Sequence, residues 1–121
     1  YFSPSVSWSK VSSGAPAFRV YPAGFIYDVA GTSIFASTIH ERARVLSFTN
    51  SQVASKQLAA ISPTLNYEVG QIGGLPLADA TADVGVSFAV NAVETAKLDW
   101  GNFETSWEFL RNPLVELLER G

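Results

Sequence analysis

The chain has 121 residues, 47% of them apolar and 16% charged, which places it among globular chains with room for one modest core. With no cysteine and a single histidine, it has no disulfide framework, no thiolate zinc site, no cysteine nucleophile and no multi-histidine metal site. The net charge of −3 is divided unevenly: residues 1–60 carry Lys10, Arg19, Arg42, Arg44 and Lys56 against Asp28 and Glu41, whereas residues 61–121 set Lys97, Arg111 and Arg120 against nine carboxylates. That asymmetry points to an anionic partner for the first half, with two ordinary solvated faces as the plain alternative. No apolar run approaches the roughly 20 residues that span a bilayer, so no membrane partner is expected. Nor does Tyr1-Phe2-Ser3-Pro4 form a basic leader. A cytoplasmic piece of a longer protein is expected.

In chain order, Val6-Ser7-Trp8-Ser9-Lys10-Val11-Ser12 alternates in part, setting Val6 and Trp8 on one face of a strand and Ser5, Ser7 and Ser9 on the other. Ser13-Gly14-Ala15-Pro16 is a turn, and Phe18-Arg19-Val20-Tyr21 is a second strand stopped by Pro22-Ala23-Gly24. Residues 25–29 and 33–35 read as further strands around a hairpin-like Ala30-Gly31-Thr32.

From residue 38 the period becomes helical. Thr38 and Glu41 have the spacing of a capping box, and Ile39, Ala43, Val45 and Leu46 supply the apolar stripe. Asn50 or Ser51 breaks this helix, and Val53, Leu58 and Ile61 carry a second one to Ser62-Pro63. Residues 62–77 are a loop punctuated by Pro63, Gly70, Gly73, Gly74 and Pro76. A third helix over about residues 80–97 has only a narrow polar edge (Asp83, Ser87, Asn91, Glu94), the mark of a helix packed on two sides. Asn112-Pro113 opens a last helix striped by Leu114, Val115, Leu117 and Leu118. The predicted fold is α+β: an N-terminal antiparallel-rich sheet with packed helices, followed by a helical tail. Trp8, Trp100 and Trp107 are all expected in packing.

Catalytic motifs are missing. Gly70-Gln71-Ile72-Gly73-Gly74 lacks the Lys-Ser/Thr of a P-loop and sits in a Pro-rich loop. Ser37, His40 and Glu41 crowd one helical turn, a poor geometry for a triad. Leu114 follows Asn112-Pro113, so this is not the Asn-Pro-Pro-aromatic loop that grips a flipped adenine. No catalytic, cofactor-binding or metal-ligating residue is assigned.

Three blocks carry a resemblance. The first is Val6-Ser7-Trp8-Ser9-Lys10-Val11-Ser12-Ser13-Gly14 with Phe18-Arg19-Val20-Tyr21-Pro22, Gly24-Phe25-Ile26-Tyr27-Asp28 and Ser33-Ile34-Phe35. The second runs from Leu46-Ser47-Phe48-Thr49-Asn50-Ser51 through Ser62-Pro63-Thr64-Leu65-Asn66-Tyr67-Glu68-Val69-Gly70 to Leu77. The third is Asp99-Trp100-Gly101-Asn102-Phe103-Glu104-Thr105-Ser106-Trp107-Glu108-Phe109. In order and spacing they resemble the PglX family, the adenine-specific DNA methyltransferases of BREX phage-defence systems, related to type IIG restriction–modification enzymes. Gly74 departs from the pattern, standing where a polar residue is usual.

The resemblance implies that residues 1–78 are part of a DNA target-recognition domain and residues 79–121 a helical segment that continues in the parent protein. It implies double-stranded DNA as partner, together with other domains of the parent and other proteins of the defence system. S-adenosylmethionine would be bound by the parent, with no cofactor in this segment. On this reading the DNA-binding candidates are Ser7, Ser9, Lys10, Ser12, Ser13, Gly14, Arg19 and Tyr21. Serine hydroxyls serve phosphates or base edges, Lys and Arg pair with phosphate or guanine, and Gly14 lets backbone approach closely. Exposed strand serines and ordinary surface cations are the plainer reading of the same residues. The rival function is an interaction scaffold docking other domains or partner subunits, which suits residues 80–121 better than residues 1–60. A sugar-binding module using Trp8 and Tyr21 has little support, because aromatics alone do not define a sugar site.

Overall fold

A computed structural model describes residues 2–77 and 83–120. Three strands, β1 (Ser5–Ser9), β2 (Arg19–Tyr21) and β3 (Gly31–Phe35), form an antiparallel sheet in the order β2-β1-β3. The register sets Val6 between Val20 and Ile34, and Trp8 beside Thr32. Directly paired residues share a face, so the apolar side is Val20, Val6, Ile34 and Trp8. Val6 and Trp8 are 1% and 3% exposed, and Trp8 meets the Phe18 ring at 5.6 Å. Each large side chain buried this completely contributes about 1.5–3 kcal/mol.

Helix α1 (Ile39–Thr49) packs on β1 and β2, and α2 (Gln52–Ile61) packs on α1 and on the short α3 (Val69–Gly73). The expected capping box is present: Thr38 Oγ1 accepts from the Glu41 N–H at 3.1 Å, while the Glu41 carboxylate accepts from the Thr38 N–H at 3.2 Å. The break also falls where expected, since Asn50 is the C-cap of α1 and Ser51 the N-cap of α2. Helix α4 (Asp83–Gly101) begins in the first of two compact units, Tyr1–Ala89, and ends in the second, Val90–Gly121. Within the first unit Gly85 lets α4 approach α1, because a Cβ there would lie 2.5 Å from Ser47 Oγ. In the second unit α5 (Pro113–Arg120) starts as expected, with Asn112 Oδ1 accepting from the Leu114 N–H at 2.9 Å. The fold is α+β. The boundary expected after residue 78 and the start expected for α4 at residue 80 lie outside the described residues.

Six local expectations are corrected. Residues 25–29 are not a strand: Asp28 Oδ1 accepts from the N–H groups of Ala30 and Gly31 at 2.9 and 2.8 Å, a side-chain turn that redirects the backbone. Accordingly Gly31 and Thr32 belong to β3 rather than to a hairpin loop. Ser5 and Ser7 are buried rather than solvated, because this segment lays an aromatic row over their face of the sheet. Tyr21 meets Phe25 and Tyr27 edge-on at 5.1 and 6.5 Å, and Tyr27 meets Phe35 at 5.4 Å. Ser5 Oγ donates to the Tyr27 hydroxyl at 2.7 Å. In α2 the buried pair is Ala54 and Leu58, one turn apart, leaving Val53 and Ile61 exposed. The loop over residues 62–77 contains α3, and in the second unit Trp100 and Trp107 are exposed rather than packed.

Candidate nucleic-acid interface

The candidate strip begins where β1 ends. Ser9 is exposed on the face that also carries Arg19 and Tyr21, as the pairings Ser7↔Arg19 and Ser5↔Tyr21 require. Beyond Ser9 the chain leaves the sheet and crosses to residues 65–67. The Lys10 N–H donates to Ala30 O at 3.1 Å, and Lys10 O accepts from the Tyr67 N–H at 2.7 Å. Val11 forms an antiparallel bridge with Asn66, and the Ser12 N–H donates to Leu65 O at 3.1 Å. Two side chains complete the crossing: Trp8 Nε1 donates to Tyr67 O at 3.0 Å, and the Tyr67 hydroxyl donates to Gly14 O at 3.1 Å. The segment from Trp8 to Gly14 is thereby a fixed platform, with Ser9, Ser13 and Gly14 on its exposed side.

The neighbouring β2 is fixed from another direction. The Asn50 side chain accepts from the Phe18 N–H at 3.1 Å and donates to Phe18 O at 3.0 Å and Leu46 O at 3.1 Å. One amide thus closes the end of α1 and sets the backbone leading into Arg19. Sequence reasoning does not single out Asn50, Tyr67 or Glu68 as site residues. Their signal lies in the second block of the resemblance, which holds all three.

The cations are not equivalent. The Arg19 side chain is exposed and makes no hydrogen bond or ion pair among the described residues. Lys10 pairs with Glu68 at 3.1 Å, the side chains being 30% and 52% exposed. Arg42 donates to Ala36 O at 2.9 Å, and Lys56 is exposed on α2. Of the acids nearby, Asp28 and Glu41 hold backbone N–H groups of their own turns. Ser7, between Arg19 and Ser33 in the sheet, is 6% exposed, with its hydroxyl donating to Thr32 O at 2.7 Å. Ser12 is half-buried, and its Oγ accepts a long 3.4 Å contact from the Gly14 N–H. Tyr21 is half-buried in the same aromatic row. Among the described residues no group of three or more His, Cys, Asp or Glu could hold a metal ion.

No protein-family model matches the chain. It is 35% identical over 114 residues to the adenine-specific methyltransferase PglX of Lacticaseibacillus casei (strain Zhang), an alignment covering 94% of this chain and 10% of that protein. It is 33% identical over 118 residues to the adenine-specific methyltransferase BrxX of Escherichia coli O9:H4 (strain HS), covering 96% and 10%. The chain spans about a tenth of the length of the curated relatives it matches. No helix among the described residues is long and apolar enough to cross a membrane.

Proposed function

The chain fits a fragment of a PglX-type protein, and from that premise we propose that it recognises DNA for a restriction–modification-like N6-adenine methyltransferase acting in the cytoplasm. The observation that carries the reading is the similarity to two adenine-specific methyltransferases along almost all of this chain. Physical support comes from the platform at Ser9–Gly14, held by backbone hydrogen bonds and exposing Ser9, Ser13 and Gly14 along with Val11. Beside it, the Arg19 side chain has no partner among the described residues and can meet phosphate or guanine. Ser9, Lys10, Ser12, Ser13, Gly14, Arg19 and Tyr21 form the proposed contact set. Ser7, already bonded to Thr32, supports the sheet beneath them.

In the whole protein S-adenosylmethionine would supply the methyl group for the exocyclic amine of a flipped adenine. The glycine-rich stretch of this chain lies in and just after the short helix α3 rather than between a strand and a long helix, which does not favour it as a nucleotide-binding loop. Binding of S-adenosylmethionine is assigned to other parts of the parent. Residues 1–78 are proposed as part of the target-recognition domain and residues 79–121 as a helical segment that docks other domains or partner proteins. Trp107 and Leu110, both almost fully exposed, favour docking for the second segment.

The test is a titration of the chain with duplex DNA at several salt concentrations. The Lys10→Ala/Arg19→Ala double variant should weaken binding to every duplex and flatten the salt dependence by about one unit for each phosphate no longer neutralised. Arg111→Ala/Arg120→Ala should leave both unchanged, since both arginines sit in the acidic half that is assigned to docking. The reverse ranking would put the DNA face in the wrong half.

A further inference from the structure

We infer that Glu68 occupies the place of a DNA phosphate on Lys10 in the free protein and so sets the affinity of the platform. The inference rests on the DNA reading above. Lys10 has little freedom in its backbone: its N–H is bonded to Ala30 and its carbonyl to Tyr67, so only the side chain can move. The ammonium is turned to Glu68, 3.1 Å away, one residue beyond the Tyr67 that bonds the Lys10 carbonyl. The same crossing that builds the platform therefore delivers its carboxylate.

Both partners remain partly exposed, so the pair is a weak surface ion pair and is exchangeable. A phosphate reaching Lys10 competes with Glu68 for the ammonium, and displaced or not the carboxylate then lies within a Debye length of the phosphate. Competition needs both residues whereas repulsion needs only Glu68, and both vanish when Glu68 loses its charge. The Glu68 side chain also caps α3 by accepting from the Gln71 backbone N–H, the other half of the box being the Glu68 N–H that donates to Gln71 Oε1 at 2.9 Å. Glu68→Gln keeps a cap acceptor, so it is the variant that isolates the charge, whereas Glu68→Ala removes both charge and acceptor.

The experiment measures duplex DNA binding for the unaltered chain, Glu68→Gln, Glu68→Ala, Lys10→Ala and the Lys10→Ala/Glu68→Gln pair. Glu68→Gln and Glu68→Ala should each tighten binding by roughly two- to fivefold at low salt, with the gain shrinking as salt rises. In the Lys10→Ala background most of that gain should disappear. The indole N–H resonance of Trp8, bonded to Tyr67 O, reports whether each variant keeps the crossing. If Lys10→Ala weakens binding while neither Glu68 variant tightens it, the DNA reading stands and the control by Glu68 is wrong. Equal tightening with and without Lys10 would reduce Glu68 to a general repulsive charge and overturn the inference. If Lys10→Ala has no effect on binding, the reading on which the inference rests fails for this strip.

Discussion

The two units spend their apolar residues differently. In the first, Val6, Trp8, Phe18, Leu46, Leu58, Tyr67 and Ile72 are buried, and the sheet, α1 and α2 share that core. In the second, Ser106 is the one buried residue among those described, while Leu98, Trp100, Trp107, Leu110, Leu114, Leu117 and Leu118 are exposed. Apolar periodicity is therefore an incomplete guide to a core: α5 has a clear leucine stripe and buries none of it. A stripe identifies a face that prefers burial, and only the tertiary partner decides whether the chain itself supplies it.

Substitutions in each unit put this contrast at risk. The largest effect is expected for Trp8→Ala, which empties the core beside Phe18 and removes the donor to Tyr67 O. It should cost about 3–5 kcal/mol in chemical denaturation. Trp107→Ala, at a fully exposed site, should stay within about 0.5 kcal/mol of the unaltered chain. Comparable losses at both tryptophans would dissolve the distinction between the units. Next in size is Asn50→Ala, which leaves both backbone groups of Phe18 without their side-chain partner. A loss of about 1–3 kcal/mol is expected, along with weaker DNA binding through displacement of Arg19. Smaller again is Thr38→Ala, where removing one half of the capping box should cost about 1 kcal/mol and leave DNA binding untouched.

Signals in the sequence are legible where the chemistry is local. Thr38 with Glu41, the Asn50-Ser51 break and Asn112 before Pro113 each act over four residues or fewer, and each helix boundary follows from them. What is not legible depends on distant partners. Residues 25–29 have the aromatic and β-branched composition of a strand, but Asp28 turns the chain and Tyr27 meets Ser5, 22 positions away. Nothing near Ser5 or Ser7 announces that cover. The apolar positions of α2 offer two helical phases, and packing chooses the one led by Ala54 and Leu58. The platform is legible only in part: its serines and cations stand together in sequence, whereas Tyr67, whose backbone oxygen accepts from the Trp8 indole, lies 59 positions from Trp8. Charge counting likewise identifies Lys10 and Arg19, yet gives no hint that Glu68 holds the first and that the second is free.

The proposed DNA recognition by residues 1–78 and docking by residues 79–121 can be tested together by amide hydrogen exchange on the full-length protein with and without duplex DNA. Amides between residues 9 and 21 should gain protection when DNA is added, at the exposed ends of the platform most of all. Those between residues 103 and 118 should be protected already and should not respond. A DNA-dependent gain confined to residues 103–118, with residues 9–21 unchanged, would reverse the two assignments.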